Sequence, residues 1–347
     1  MNGTMKAAVL RQFGQPLQIE EKPIPVPGPG EVLVKVCASG LCVSDLHIQD
    51  GIIGTVRLPY TPGHEMAGVV AEVGPGVTRV RPGDRVVAAI DITCGSCKYC
   101  LSGRTNLCKN LVRIGFERDG SHEEYCVIPA DNAFVVADTV PFDQMTSITD
   151  AVGCMYNAIK NRARVQPGDR VLILGTGGLG MNAIQIAKLF GAEVYATSRQ
   201  QEKLDLSLQM GADAVINTKE QDLRTEILRL TGGELCDVII DNIGIRHSIN
   251  DSLGLVCAGG RVIVAGYNDP YFEADYQDVM KFEKEILGIR GMTRQDLVEV
   301  IRLVETGKIV PFIYKTLPFE RINEGLNMLR TGGAKGRVVL LMEDRQA

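Results

Sequence analysis

The segment GTGGLG at residues 175–180 constrains the fold of this chain more than any other feature. It directly follows the apolar run VLIL and opens a stretch with helical apolar spacing. In a dinucleotide-binding unit the first glycine, Gly175, makes the tight turn and Gly177 lets the backbone approach a pyrophosphate. Gly180 then allows close packing of helix on strand, and the helix N-terminus attracts the anion. A glycine-rich turn without a ligand is the alternative.

Short apolar runs alternate with helical patterns after about residue 165, which predicts a doubly wound parallel sheet of the Rossmann kind. The first 150 residues instead carry β-patterned runs such as EVLVKVCASG and EMAGVVAEVG, broken by Pro and Gly. These predict a mostly antiparallel, barrel-like β domain. The tail GRVVLLM is strand-like, and we expect it to rejoin that β domain. The predicted fold class is therefore α/β, with one domain of each kind.

The chain has 347 residues, which is too long for one ordinary core and indicates two domains. The shift in pattern sets the boundaries. We predict a β domain, a Rossmann domain and a C-terminal part that returns to the β domain, at 1–151, 152–292 and 293–347.

The net charge of −5 offers no basic surface, so no nucleic-acid partner is expected. No apolar run reaches about 18 residues, so no membrane partner is expected. The N-terminal residues lack the sections of a signal peptide. Six of the ten cysteines are scattered, as free buried thiols are in a reducing compartment. We expect a cytoplasmic protein.

The other four cysteines lie within CGSCKYCLSGRTNLC, in a predicted zinc lobe at 91–110. Four thiolates this close can surround one tetrahedral zinc ion, and Gly95 and Gly103 free the backbone to fold around it. The alternatives are unrelated buried thiols or an iron–sulfur cluster, whose common spacings differ from this one. Four thiolates leave no open position on the metal, so the predicted role is structural. The ligands would be Cys94, Cys97, Cys100 and Cys108.

The second strand of the Rossmann unit ends in YATSR, where an acid would normally bind the adenosine ribose 2′-hydroxyl. This chain has Ser198 and Arg199 there instead. Without the carboxylate a 2′-phosphate is not repelled, and a guanidinium can pair with it. The sequence therefore favours NADP(H) over NAD(H). The alternative is that Arg199 only stacks on adenine.

Three further stretches complete the pattern: CVSDLH at 42–47, GHE at 63–65 and TDAVGCMY at 149–156. With them, the chain resembles the zinc-dependent medium-chain alcohol dehydrogenases nearly end to end. The resemblance implies that Cys42 and His64 are ligands of a catalytic zinc ion. It also implies that Asp45 holds the His64 ring through its other nitrogen, and that Glu65 approaches the metal when substrate is absent.

For the third ligand, members of this family often have a cysteine six residues before an aromatic residue. Counting back from Tyr156 gives Asp150, and a bacterial NADP-dependent secondary-alcohol dehydrogenase subgroup has aspartate there. One thiolate and one carboxylate still neutralise a zinc ion. Cys154, one helical turn further along, is the alternative ligand, and otherwise would lie beside the nicotinamide.

The resemblance also implies a mechanism, in which Ser44 accepts the alcohol proton and passes it through the nicotinamide ribose to His47 and solvent. It implies two zinc ions per chain and a homotetramer or homodimer. Further cofactor-binding residues are expected beside those of the glycine-rich turn and the second strand. They are Gly178, Leu179, Lys203, Asn242, Gly266, Tyr267 and Arg337.

The predicted function is a zinc-dependent alcohol dehydrogenase or carbonyl reductase acting on a small alcohol or ketone. The mainly apolar segment GIIGTVRLPY favours an apolar, secondary alcohol. A polyol or sugar dehydrogenase is the alternative within the same class. A zinc-free quinone or enone reductase would lack Cys42, His64 and the cysteine lobe. A non-catalytic, nucleotide-binding zinc protein is the alternative from a different class.

Overall fold

The structure is a computed structural model that describes residues 3–342, arranged in two compact units. The first unit contains the described residues up to Gly153 and from Met292 onwards, and the second is Cys154–Gly291. The sequence analysis placed these divisions after residues 151 and 292. No helix within 3–342 is long and apolar enough to cross a membrane.

The strands and helices follow one another along the chain as follows. The strands are β1 Thr4–Val9, β2 Gln18–Pro23, β3 Glu31–Leu41, β4 Glu65–Val73, β5 Arg85–Ala88, β6 Asp91–Ile92, β7 Val112–Arg113, β8 Tyr125–Pro129, β9 Ala133–Val135, β10 Arg170–Leu174, β11 Glu193–Ser198, β12 Ala214–Asn217, β13 Cys236–Asp241, β14 Val256–Val264, β15 Glu285–Gly288, β16 Ile313–Pro318 and β17 Arg337–Leu341. The α-helices are α1 Val43–Gln49, α2 Lys98–Leu101, α3 Phe142–Thr146, α4 Ala151–Tyr156, α5 Gly178–Leu189, α6 Gln201–Gln209, α7 Leu223–Leu230, α8 Ser248–Leu255, α9 Tyr276–Lys281, α10 Arg294–Glu305 and α11 Ile322–Arg330.

The second unit is built on a six-stranded parallel sheet with the order β12-β11-β10-β13-β14-β15. Its central strands β10 and β13 are almost wholly buried. Strands covered on both faces are expected to be continuous apolar runs, which is how they appear in the sequence. The strand order reverses between β10 and β13, and ligands of such sheets bind in the crevice at that reversal.

The first unit contains a seven-stranded sheet ordered β16-β17-β3-β4-β5-β9, with β8 also paired to β3. All pairs of neighbouring strands in this sheet are antiparallel, except that β16 and β17 are parallel. The long strand β3 lies at its centre, and the C-terminal strand β17 pairs with the end of β3. The predicted fold class, a parallel Rossmann sheet with a mostly antiparallel β domain, is confirmed.

The register of β3 and β4 brings two candidate ligands together. Gly40 of β3 pairs with Glu65, the first residue of β4. Cys42 follows the end of β3 and His64 precedes β4, so these side chains leave adjacent strands at the same end. Two short strands, β6 and β7, pair separately and connect the cysteine lobe to this unit.

Candidate active site

Two groups of metal-ligating side chains have ligand atoms within 4.8 Å of one another in the described residues. Cys154, the alternative ligand, belongs to neither group. The first group, the cysteine lobe, is Cys94, Cys97, Cys100 and Cys108. The second, the buried cluster, is Cys42, His64, Glu65 and Asp150.

The buried cluster presents one sulfur, one imidazole nitrogen and two carboxylates to a common point. The Sγ atom of Cys42 lies 3.4 Å from Oδ2 of Asp150. Nε2 of His64 lies 4.0 Å from the same oxygen and 4.0 Å from Oε1 of Glu65. Thiolate, imidazole and carboxylate are the ligands that zinc takes in proteins, and two anionic ligands neutralise its charge. The donor set therefore fits a zinc ion.

Arg337 forms ion pairs with both acids of the buried cluster. Its Nη2 lies 2.5 Å from Oδ2 of Asp150 and 2.7 Å from Oε1 of Glu65. Burial alone would lower the pKa of the Arg337 guanidinium, but the negative charges of Glu65, Cys42 and Asp150 keep it above its ordinary value. The sequence analysis put Arg337 among the cofactor-binding residues. The structure places it in the first unit, against the candidate zinc ligands.

Asp45 lies behind His64, on the side away from the other candidate ligands. Its Oδ1 is 3.5 Å from Nδ1 of His64, and its Oδ2 accepts a hydrogen bond of 2.9 Å from the backbone N–H of Cys42. This carboxylate is 2% exposed and also faces His122, which is fully buried. The sequence analysis did not identify His122, because no spacing rule connects it to His64.

The two residues of the predicted proton relay lie on helix α1, one helical turn apart. Oγ of Ser44 is 3.7 Å from Sγ of Cys42, at the edge of the buried cluster. Burial lowers the pKa of His47, and the charge of Asp50 offsets this only in part. The His47 imidazole is consequently neutral near pH 7, the form that accepts a proton.

The four cysteines of the cysteine lobe come from one segment of the chain, which includes the short helix α2. Gly95 and Gly103 adopt φ values of +69° and +78°, which a side chain would disfavour. The backbone N–H groups of Ser96 and Cys97 donate to the Cys94 sulfur and lower the pKa of that thiol to about 6. Thiolates are the metal-binding form of cysteine, so the donor set fits a structural zinc ion.

The glycine-rich turn has the geometry that the sequence predicted for each glycine. Gly175 has a φ of +83°, and the space beside Gly177, which precedes α5, is open. A side chain on Gly180 would overlap the carbonyl group of Gly175, so helix α5 can approach β10 only with glycine there.

The other predicted cofactor residues of the second unit follow the carboxyl ends of its parallel strands. Ser198 ends β11, Asn242 follows β13, and Gly266 and Tyr267 come shortly after β14. The side-chain amide of Asn242 donates to the carbonyl oxygen of Gly175 at 3.4 Å, across the strand-order reversal. Gly178 and Leu179 begin α5, and Lys203 lies in the first turn of α6. These residues share one edge of the sheet.

Family models match two long stretches of the chain. Residues 28–138 match the alcohol dehydrogenase GroES-like domain, and residues 178–306 match the zinc-binding dehydrogenase domain. Among curated relatives, an alcohol dehydrogenase of Geobacillus stearothermophilus is 37% identical over 98% of this chain and 100% of its own length. An L-threonine 3-dehydrogenase of Bacillus licheniformis is 33% identical over 98% of this chain and 100% of its own.

Solved structures match over nearly the whole length as well. An NAD-dependent alcohol dehydrogenase has a TM-score of 0.93 and 34% identity, covering 98% of this chain and 100% of its own. Acetophenone reductase from Geotrichum candidum, in complex with NAD, has a TM-score of 0.87 and 34% identity, covering 97% of each chain. A structure from Sinorhizobium meliloti bound to NADP has a TM-score of 0.88 and 30% identity, covering 98% of this chain and 99% of its own.

Proposed function

This chain belongs to the zinc-dependent medium-chain alcohol dehydrogenases, and on that premise we propose that it transfers a hydride between a secondary alcohol and NADP(H). The observation that carries this proposal is the buried cluster, in which Cys42, His64 and Asp150 converge beside Ser44. A proton acceptor next to a candidate metal site is what oxidation of an alcohol requires.

In the proposed site, Cys42, His64 and Asp150 would hold the zinc ion of the reaction. When bound, zinc supplies the Lewis acidity that favours the alkoxide form of an alcohol, and the nicotinamide supplies the hydride acceptor. Oγ of Ser44 accepts the hydroxyl proton, and the neutral imidazole of His47 takes it towards solvent. Glu65 and Arg337 balance one another's charge beside the ligands. In the reverse direction, His47 and Ser44 return a proton to the carbonyl oxygen.

A second zinc ion, in the cysteine lobe, is proposed for structure alone. Its four candidate ligands lie within one loop and none belongs to the buried cluster. Together the two clusters support two zinc ions per chain.

Preference for NADP(H) is supported by the end of strand β11. Arg199 is exposed there, and Ser198 Oγ accepts a hydrogen bond from the backbone N–H of Gln200 at 3.1 Å. No carboxylate follows β11 at this point, so a 2′-phosphate would meet a cation without a competing anion. Both forms of the cofactor occur among the similar solved structures.

A secondary alcohol or the matching ketone is supported by the apolar surroundings of the buried cluster. The Phe116 ring lies 5.0 Å from the His64 ring, and Ile53 and Leu58 pack on the adjacent hydrophobic core. Acetophenone, named for one of the similar structures, is a ketone whose reduction gives a secondary alcohol.

L-Threonine or a similar hydroxy acid is the second candidate substrate, since relatives at 32–34% identity are L-threonine 3-dehydrogenases. Carbon 3 of threonine also carries a secondary hydroxyl group. The two candidates differ in charge, because threonine needs partners for a carboxylate and an ammonium group.

A substrate panel with NADP⁺ and NAD⁺, followed by nicotinamide absorbance, tests the proposal. We expect apolar secondary alcohols to give the highest kcat/KM, and NADP⁺ to have a lower KM than NAD⁺. Arg199→Ala should raise the KM for NADP⁺ about ten- to a hundredfold, the value of one charge-assisted contact, and leave that for NAD⁺ nearly unchanged. Equal KM values for the two cofactors in the wild type would refute the NADP preference. No turnover of any alcohol would favour a non-catalytic zinc protein.

We further propose a cytoplasmic homo-oligomer, a tetramer or dimer. The location is supported by the cysteines, because none of the ten in the described residues forms a disulfide bond, as suits a reducing compartment. Light scattering of the purified chain would measure the number of subunits.

A further inference from the structure

His122 is a buried ionisable residue with no part in the chemistry described so far. It lies between Ser121 and Glu123, just before strand β8, and its side chain is 0% exposed. Burying an imidazole is costly unless its nitrogens find partners. The groups that face the two nitrogens therefore show what the residue does.

The Nδ1 side of His122 faces two buried serines. Nδ1 lies 2.9 Å from Oγ of Ser39, and that oxygen lies 2.6 Å from Oγ of Ser121. Both serines are 0% exposed. A serine hydroxyl can donate or accept, so this side alone does not fix the tautomer of the imidazole.

The Nε2 side faces Asp45. The distance from Nε2 to Oδ1 of Asp45 is 3.7 Å, and the same oxygen lies 3.5 Å from Nδ1 of His64. Within the described residues, all three of these buried atoms lack any other hydrogen-bond partner. Two imidazole nitrogens and one carboxylate oxygen thus face one another, a few tenths of an ångström beyond hydrogen-bond distance.

The charge of Asp45 decides the direction of these hydrogen bonds. Its Oδ2 already accepts a hydrogen bond of 2.9 Å from the Cys42 backbone, and its Oδ1 faces Nδ1 of His64 and Nε2 of His122 at 3.5 and 3.7 Å, an arrangement that favours the ionised carboxylate. An ionised carboxylate only accepts, so Nε2 of His122 must carry the proton. Nδ1 then accepts from Ser39, and Ser39 accepts from Ser121. The chain of hydrogen bonds runs one way, from the serines to Asp45.

The backbone holds the two histidines in a fixed relation. The N–H groups of Gly120, Ser121 and His122 donate to the carbonyl oxygens of Thr61, Gly63 and Pro62, at 2.8–3.0 Å. A side chain on Gly120 would overlap the backbone of Gly63, so the two segments are in close contact. The segment that contains His122 is therefore joined by backbone hydrogen bonds to the segment that precedes His64.

We propose that His122 is a positioning residue for the zinc site, which donates through Nε2 to Asp45 and so fixes the carboxylate that orients His64. Asp45 is then held on both oxygens, by the Cys42 backbone on Oδ2 and by His122 on Oδ1. With Asp45 fixed, Nδ1–H of His64 has a defined acceptor and Nε2 keeps its lone pair for the metal. This inference rests on the proposed zinc site.

Chelator competition on the zinc-loaded full-length protein tests the role of His122. It measures the zinc affinity of the buried cluster, and the affinity of the cysteine lobe in the same sample serves as the reference. His122→Phe keeps the ring volume and removes the donor, so the affinity of the buried cluster for zinc should fall about tenfold, the lower end for outer-shell partners. His122→Gln, the matched control, can still donate to Asp45 and should keep most of the affinity. The affinity of the cysteine lobe should be the same in all variants.

Equal affinities in wild type and His122→Phe would overturn the inference, and so would equal losses in His122→Phe and His122→Gln, which would indicate packing alone. If His122→Phe does not fold, Ser39→Ala decides, because it removes only the hydroxyl that donates to Nδ1 of His122. It should weaken zinc binding in the same direction but less, and an unchanged affinity would refute the role. A wild type that binds zinc only in the lobe would instead refute the proposed zinc site.

Discussion

The cysteine lobe and the buried cluster can each hold a metal, but the chain builds them in opposite ways. The lobe takes all four ligands from one segment of the chain, residues 94–108. The buried cluster joins Cys42 to Asp150, 108 positions later, and depends on the pairing of β3 with β4. A local site can be lost without dismantling the rest of the unit. In a site assembled from distant strands, the strands that position the ligands also form the core. A substitution at one ligand or its neighbour is therefore expected to affect the others.

The largest effect should follow from Asp150→Ala, which removes one anionic ligand from the buried cluster. We expect kcat to fall about a thousandfold, since Lewis acidity contributes several kcal/mol and 1.4 kcal/mol is a factor of ten. Metal analysis should show the loss of one zinc ion. Cys154→Ala is the matched control and should keep both zinc ions and most of the rate. If Cys154→Ala lost a zinc ion and Asp150→Ala kept both, the thiol would be the ligand.

A smaller effect, up to about a hundredfold on alcohol oxidation, should follow from His47→Gln, in the range of one acid–base group. In the wild type the rate should fall as pH decreases through the pKa of His47, which burial lowers from its ordinary value. The sign follows from the chemistry, because only the neutral imidazole accepts a proton. The low-pH decline should disappear in the variant. An identical pH–rate profile in both proteins would remove His47 from the relay.

The smallest effect on rate should come from Cys97→Ser in the cysteine lobe. This variant should lose one zinc ion and several degrees of Tm, while the folded protein keeps most of its kcat. Metal analysis, calorimetry and initial rates measure the three quantities. A fully folded Cys97→Ser protein without turnover would mean that the two clusters are not independent, and the comparison above would fail.

The fold was predictable where local patterns and tertiary structure agree. The runs VLIL at 171–174 and VII at 238–240 are continuously apolar because β10 and β13 are covered on both faces. The role of each glycine in 175–180 could be predicted separately, because the backbone conformation or close approach that requires glycine depends only on nearby residues. The amphipathic pattern TRQDLVEVIRLVETGKI likewise became helix α10. Among the scattered cysteines, Cys126 and Cys236 are buried in the core and the others, apart from Cys42, are half-buried.

The candidate site was less predictable, because its parts meet only through strand register. Cys42 and His64 could be proposed only from resemblance, since a single cysteine and a single histidine in β-rich segments do not by themselves indicate a metal site. The assignment of Arg337 to the cofactor stays a prediction, but its contacts with Glu65 and Asp150, which follow from the pairing of β17 with β3, had no signal in the sequence. His122 gave no signal in the sequence, because its partners Ser39 and Asp45 lie about 80 residues earlier.

The pairing of β17 with β3 also has a consequence for biosynthesis. Arg337 lies 296 positions after Leu41, whose carbonyl oxygen it contacts. At about 5–20 residues per second, a ribosome needs about 15–60 s to make the intervening chain. Through that interval the end of β3 at Ala38–Leu41 lacks its partner strand, while the second unit is contiguous and has all its strands before β17 is made. The unit whose synthesis starts first is therefore completed last, and nascent chains stalled in between present an open strand edge of the kind that chaperones protect.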